Sequence, residues 1–377
     1  MEQEFFQAFR QEILSAKKID GVLISSPANM RACSGFCGEG IVFLSERQRL
    51  VFTDSRYTEA AKSECPDFEI IRYQGNLYEN WLDVLKERGK ISSGSAIGFE
   101  DEYMTVQSYH TIKALLKKKE LDISLIPLHK RLSGLRQVKT DDEIQKIEQA
   151  EKIGDEAFAK VIGRIRECCQ SGEMLTEKQI AAFIEFTMRE LGAEGTSFDT
   201  IVASGLHSSM PHAVPTDKEL MDGDFVTMDF GCKVNGYCSD MTRTVVIGTA
   251  DDRQREIYDI VLQAQEAALQ IIRPGIKCCE VDEAARKVIR EVGYGECFGH
   301  SLGHSVGLEI HETPCFAQKD ESILRPGMVI TVEPGIYVEG FGGVRIEDVV
   351  VITEKGCRNL THSPKELMEV KAEGGAL

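Results

Sequence analysis

The sequence predicts an α/β (α+β) protein of two domains. Three observations carry this: alternating apolar and amphipathic segments between residues 21 and 127, a long helical pattern beginning at Thr140, and β-rich segments with embedded acids beyond Phe225. At 377 residues the chain is also longer than one typical domain.

In the first part, the apolar runs 22–25, 41–44, 50–53, 68–72 and 95–99 read as strands, and 56–64 and 103–118 as amphipathic helices. Such alternation builds an α/β layer structure with a mixed sheet. Thr140 followed by Glu143 forms a capping box, so a helix is expected from there through Arg166. The boundary is set just ahead of it. The expected divisions are an amino-terminal α/β domain over 1–131, a linker over 132–139, a second domain over 140–366, and a flexible tail over 367–377 that ends Glu373-Gly-Gly-Ala-Leu377.

Composition excludes several function classes. A formal charge of −17 argues against nucleic acid and anionic membranes as partners. No apolar run approaches membrane-spanning length, and Met1-Glu-Gln-Glu lacks a basic leader, so a cytoplasmic location is expected. The twelve cysteines are scattered, with the pairs Cys168-Cys169 and Cys278-Cys279 but no Cys-x-x-Cys, a pattern of reduced, mostly buried thiols. Cys33 and Cys37 have no functional account.

The second part is where chemistry concentrates. Phe225-Val-Thr-Met-Asp229-Phe is an apolar β-run, Asn235-Gly236 is a preferred two-residue hairpin turn, and 237–246 reads as the return strand. Asp229 and Asp240 bracket this hairpin. An acid between Met228 and Phe230 is costly to bury without a partner, yet two acids alone leave metal binding and ordinary turn-flanking carboxylates evenly balanced.

Further candidates follow downstream. His300, His304 and His311 fall within twelve residues and are interleaved with Gly299, Gly303 and Gly307. Met328-Val-Ile-Thr-Val-Glu333-Pro-Gly ends a β-run in an acid, and Gly343-Val-Arg345-Ile-Glu347-Asp348 puts charges into another. Taken singly, His304 reads as a core histidine, Glu333 as a strand-end acid and Glu347 as a surface position. Together, such a coincidence is improbable.

These motifs resemble those of the pita-bread metallopeptidases, the family of methionine aminopeptidases, prolidases and Xaa-Pro aminopeptidases. The resemblance implies a pita-bread (creatinase/aminopeptidase) catalytic domain with a dinuclear site whose ligands match Asp229, Asp240, His304, Glu333 and Glu347. Four carboxylates and one neutral imidazole would balance two divalent ions. Such a ligand set suits Mn²⁺, Co²⁺, Zn²⁺ or Fe²⁺, with manganese the family's commonest choice. Two such ions activate water and polarise a carbonyl.

By the same resemblance, His212 contacts substrate near the scissile bond, His311 stabilises the tetrahedral intermediate, His300 lines the substrate pocket, and Glu333 also shuttles a proton. Arg345, two residues before Glu347, neutralises a substrate carboxylate or a ligand carboxylate, and is placed with His300 on the substrate side. His110, His129, His207 and His362 lack such context and read as structural.

The first domain resembles the creatinase/prolidase amino-terminal domain, carried by Cys33-Ser-Gly-Phe36 and Thr53-Asp-Ser-Arg-Tyr57. Methionine aminopeptidases lack it. The implied reaction is hydrolysis of the bond before proline, whose tertiary amide has no N–H and a fixed geometry. The expected enzyme is an Xaa-Pro aminopeptidase acting on short proline-containing peptides; the alternative is an Xaa-Pro dipeptidase (prolidase). A creatinase-like non-peptide hydrolase or an inactive peptide-binding module fits less well, because every ligand position is filled. The family form also implies a homodimer.

Overall fold

The computed structural model describes residues 6–16, 18–88 and 94–371. Two compact units divide the chain, Met1–Arg136 and Gln137–Leu377.

In the first unit, β1 (Gly21–Ile24), β2 (Gly40–Ser45), β3 (Arg49–Thr53), β4 (Glu69–Arg72), β5 (Ser95–Phe99) and β6 (Ile123–Pro127) form one sheet in the order β4-β3-β2-β1-β5-β6. It is mixed: β1, β2 and β3 pair antiparallel, while β4, β5 and β6 join parallel. Strand alternation supplies two cores. Val22, Ile24, Val42, Leu44 and Val51 pack on one face, and Leu23, Ile41, Phe43, Leu50 and Phe52 on the other beside Trp81. The sequence reading omits β6 and the helices Pro27–Ser34 and Leu77–Glu87. The first of these helices is a short element set by local devices, a Ser26 cap, Pro27 at its start and left-handed Gly35 at its end.

The linker expected over 132–139 is not a free connector. Leu132 is buried in the first unit's core, whereas the Lys139 N–H donates to the Gly327 carbonyl at 2.9 Å within the second unit. Apolar and charged side chains draw each half into its own unit.

The second unit opens with the helix Asp141–Ser171, and both halves of its capping box at Thr140 are formed. The helix runs past Arg166 until left-handed Gly172 ends it. Together with the helix Glu177–Glu190, it covers a sheet built from β8 (Ile201–Ser204), β9 (Phe225–Phe230), β12 (Met241–Ile247) and β20 (Met368–Val370). The strands β7 (Gly195–Thr196), β10 (Cys232–Val234) and β11 (Tyr237–Cys238) make a small second sheet. A second helix pair, Asp252–Ile271 and Cys278–Glu291, shares a core with residues of β15 (Val329–Val332), β16 (Gly335–Val338), β17 (Gly342–Arg345) and β18 (Asp348–Ile352). The remaining strands are β13 (Gly303–Ser305), β14 (Glu312–Phe316) and β19 (Cys357–Asn359).

Two expectations need correction. The tail does not begin at 367, because β20 pairs parallel with β12 through Val245↔Met368 to Ile247↔Val370; only 372–377 lie outside the described residues. The return strand of the hairpin is also not continuous. Asn235 (φ 48) and Gly236 (φ 75) make the predicted turn, but β10 and β11 pair in one sheet while β9 and β12 pair in another. The break falls at Gly231 and Ser239-Asp240. A Cβ on Gly231 would stand 1.9 Å from the Ser239 carbonyl oxygen, so only glycine admits that crossing.

None of the twelve cysteines forms a disulfide, and Cys37 alone is exposed. No helix among the described residues is long and apolar enough to cross a membrane.

Candidate metal centre

The break in the hairpin turns Asp240 inward beside Asp229 on β9. Glu347, between β17 and β18, faces them, and one oxygen from each of the three lies within 4.8 Å of the others. His304 on β13 places Nε2 3.5 Å from both Asp240 Oδ2 and Glu333 Oε1, and Glu333 follows directly on β15. The five predicted ligand positions are thereby brought into one cluster, two from the first helix-covered sheet and three from the strands of the other half.

Their surroundings fix each side chain. The His304 Nδ1 lies 3.2 Å from the Ser305 carbonyl, so Nδ1 carries the proton and Nε2 offers its lone pair to the cluster. Thr242 Oγ1 donates to Glu347 Oε2 at 2.7 Å, and Thr331 Oγ1 donates to Glu333 Oε1 at 3.1 Å. The Asp240 N–H donates to Glu151 Oε1 at 2.9 Å, and Glu151 is itself fully buried.

Two oxygens have no such partner. Asp229 Oδ1 and Glu347 Oε1 are buried and accept no hydrogen bond, an arrangement too costly to persist unless something else satisfies them. Electrostatics agrees. Burial, followed by the charges of Glu347, Asp229 and Glu333, pushes the Asp240 carboxyl well above the usual range. Burial does the same to Glu347, helped by Glu333 and Asp229, and raises Glu333 to about 8. Burial also lowers His304 to about 4, keeping the imidazole neutral. Crowded acids with orphaned oxygens and a neutral imidazole fit divalent cations held by oxygen and nitrogen donors.

Beyond the cluster, Arg345 Nη2 donates to Asp229 Oδ2 at 2.6 Å. Its other donors go to Thr242 Oγ1 (3.0 Å), Tyr337 Oη (2.7 Å) and the Pro211 carbonyl (3.3 Å). Of the two partners expected for Arg345, the structure provides the ligand carboxylate. The guanidinium is 3% exposed, and the contacts it makes are to protein groups beside the cluster. Tyr337 Oη lies 3.0 Å from His300 Nε2, and His300 Nδ1 faces the Ser301 carbonyl at 2.8 Å. Nε2 therefore accepts from Tyr337, and a hydrogen-bonded path runs from Asp229 through Arg345 and Tyr337 to His300. Burial, then Arg345, lowers His300 to about 4.

His311 stacks edge-on against His304 with centroids 4.4 Å apart. His212 is exposed on the loop after the 3-10 turn Gly205–Ser209 and reaches this region through its neighbour Pro211. Sequence reasoning missed Tyr337, Thr242, Thr331 and Glu151. Glu151 had a signal, since it stands on the apolar stripe Ile144, Ile147, Gly154, Phe158 of a helix. Tyr337 had a weaker one: Gly335 and Gly343 leave room for its ring, each lying where a Cβ would collide with it.

A buried set of acids and one neutral imidazole, converging from two sheets, defines a metal-dependent hydrolase. The chain belongs to metallopeptidase family M24, whose model matches residues 145–354, and the Creatinase/Prolidase N-terminal domain matches residues 9–138. It is 38% identical to an Xaa-Pro dipeptidase of Pyrococcus furiosus over 95% of this chain and 97% of that one. Among solved structures it is similar to an Xaa-Pro dipeptidase from Bacillus anthracis (40% identity, TM-score 0.90, covering 98% and 99% of the two chains). It is likewise similar to an X-Pro aminopeptidase from Thermotoga maritima (42%, TM-score 0.85, 94% and 98%). The creatinase-type amino-terminal domain and M24 catalytic domain expected from the sequence are both present.

Proposed function

We propose that the protein is an Xaa-Pro dipeptidase that cleaves the bond before proline with two divalent ions, most naturally Mn²⁺, held by Asp229, Asp240, His304, Glu333 and Glu347. The observation that carries it is the convergence of these five residues around two buried, unsatisfied carboxylate oxygens. The length preference rests on the relatives described as Xaa-Pro dipeptidases. They favour this alternative over the aminopeptidase expected from the sequence, a reading that the Thermotoga maritima structure keeps open.

Ions bound there supply Lewis acidity and lower the pKa of water. Glu333 takes the proton from the attacking water and returns it to the proline nitrogen. His311, beside His304, donates to the oxyanion, and His212 orients the scissile carbonyl. His300 accepts a hydrogen bond from Tyr337 at Nε2, stays neutral and lines the substrate pocket. Arg345 holds Asp229 in place and offsets its charge. We also propose a cytoplasmic homodimer.

Comparing turnover of an Xaa-Pro dipeptide with that of an Xaa-Pro-Xaa tripeptide tests the assignment. Cleavage confined to the dipeptide is expected; comparable release of the first residue from the tripeptide would make the enzyme an aminopeptidase. No turnover of either, with ions bound, would sink both.

A further inference from the structure

The loop that carries His212 is anchored by an acid far from the metal cluster in sequence. Glu177 opens the helix Glu177–Glu190, and its carboxylate is fully buried. Oε1 accepts from the Ser204 N–H (2.7 Å) and Ser204 hydroxyl (2.8 Å), and Oε2 from the Thr216 N–H (2.9 Å) and Thr216 hydroxyl (2.7 Å). His207 Nδ1 lies 3.0 and 2.9 Å from the same two oxygens. One carboxylate therefore grips both ends of the segment 204–216 and a residue inside it. Although burial opposes ionisation, the hydrogen bonds from Thr216 and His207 outweigh it and hold Glu177 below the usual carboxylate value.

The gripped segment leans on β17, beside the cluster, at two points. The Gly343 N–H donates to Ser208 Oγ at 2.9 Å, and Arg345 Nη1 donates to the Pro211 carbonyl at 3.3 Å while Nη2 holds Asp229. A Cβ on Gly343 would stand 2.3 Å from the Ser208 carbonyl oxygen, so loop and strand are in close contact.

We propose that Glu177 is a positioning residue for the reaction, a clasp that closes the 204–216 loop and sets His212 and the Pro211 carbonyl against Arg345. This rests on the role given to His212 above. His207, which the sequence left without a function, is part of the clasp. A glutamine at 177 keeps the size and one acceptor oxygen but turns an N–H₂ donor toward groups at one end of the loop that themselves donate, so the side chain no longer grips both ends.

The test is a double-mutant cycle in the full-length, metal-loaded enzyme. Glu177→Gln should lower kcat/KM by about 10- to 100-fold, mainly in kcat, as expected for sub-ångström to ångström misplacement of a group near the scissile bond. Metal content by elemental analysis should stay at the wild-type level. In a His212→Ala background the same change should cost less than about 3-fold, because the residue it positions is gone. If Glu177→Gln does not fold, Thr216→Val, which removes one donor and leaves the carboxylate, should show a smaller loss with the same dependence on His212. Equal losses in both backgrounds, or a parallel loss of metal, would overturn the clasp while leaving the role of His212 standing. Full activity in His212→Ala alone would instead bring down the role of His212, and the clasp with it.

Discussion

At the scale of single residues, the decisive property of the site is imbalance. Three carboxylates share a space in which two oxygens accept nothing, so the acids are held for a cation rather than for one another. Asp240→Ala or Glu347→Ala should leave fewer ions per chain than wild type in elemental analysis. Activity should fall on the order of 10³-fold, the several kcal/mol that a Lewis acid contributes. Tyr337→Phe should act more gently, since it cuts only the link between Arg345 and His300. A loss of about 10-fold in kcat/KM, or ~1.4 kcal/mol, is expected with metal content unchanged. All five cluster residues were legible in the sequence through the order and spacing of their motifs, which carry the family resemblance, although each taken singly reads as ordinary. Tyr337, Thr242 and Thr331 were not, because tyrosine and threonine are ordinary strand residues and only the folded contacts single them out.

At the scale of elements, local signals succeeded where one device sets an end and failed where two segments must meet. The capping box at Thr140 and the Asn235-Gly236 turn were both readable. The split of the hairpin between two sheets was not, because it depends on the contact of Gly231 with Ser239, eight positions apart. The start of the Glu177–Glu190 helix has its own pH signature. Because the folded pKa of Glu177 is depressed, its contribution to stability is present above the unfolded value near 4.5 and is lost as pH falls through the folded one. The stability gap between wild type and Glu177→Gln, followed by denaturant titration, should therefore be widest near neutrality and narrow as pH drops below about 4.5. A gap that does not change with pH would contradict this.

At the scale of the molecule, the ligand set spans the two larger cores of the second unit. Asp229 and Asp240 come from the sheet under Asp141–Ser171, while His304, Glu333 and Glu347 come from strands of the other half. Ions bound by both halves favour the native state over the unfolded one. Free ion at 100 times its Kd would add about 2.7 kcal/mol, so chelation should lower the melting temperature, and Asp240→Ala should largely abolish that difference. A melting temperature indifferent to chelation would show that the ions add nothing to the fold. The split hairpin has a different consequence, for how the protein tolerates change. The strands flanking Asn235 pair in their own small sheet, beyond the crossing at Gly231, and that turn is clamped: the Gly236 N–H donates to Glu194 Oε2 at 2.9 Å and the Tyr237 hydroxyl to Glu143 Oε1 at 2.7 Å. Residues inserted at the turn would disturb those clamps only a few positions from Asp240, which makes this tip a poor place for a tag or a foreign loop.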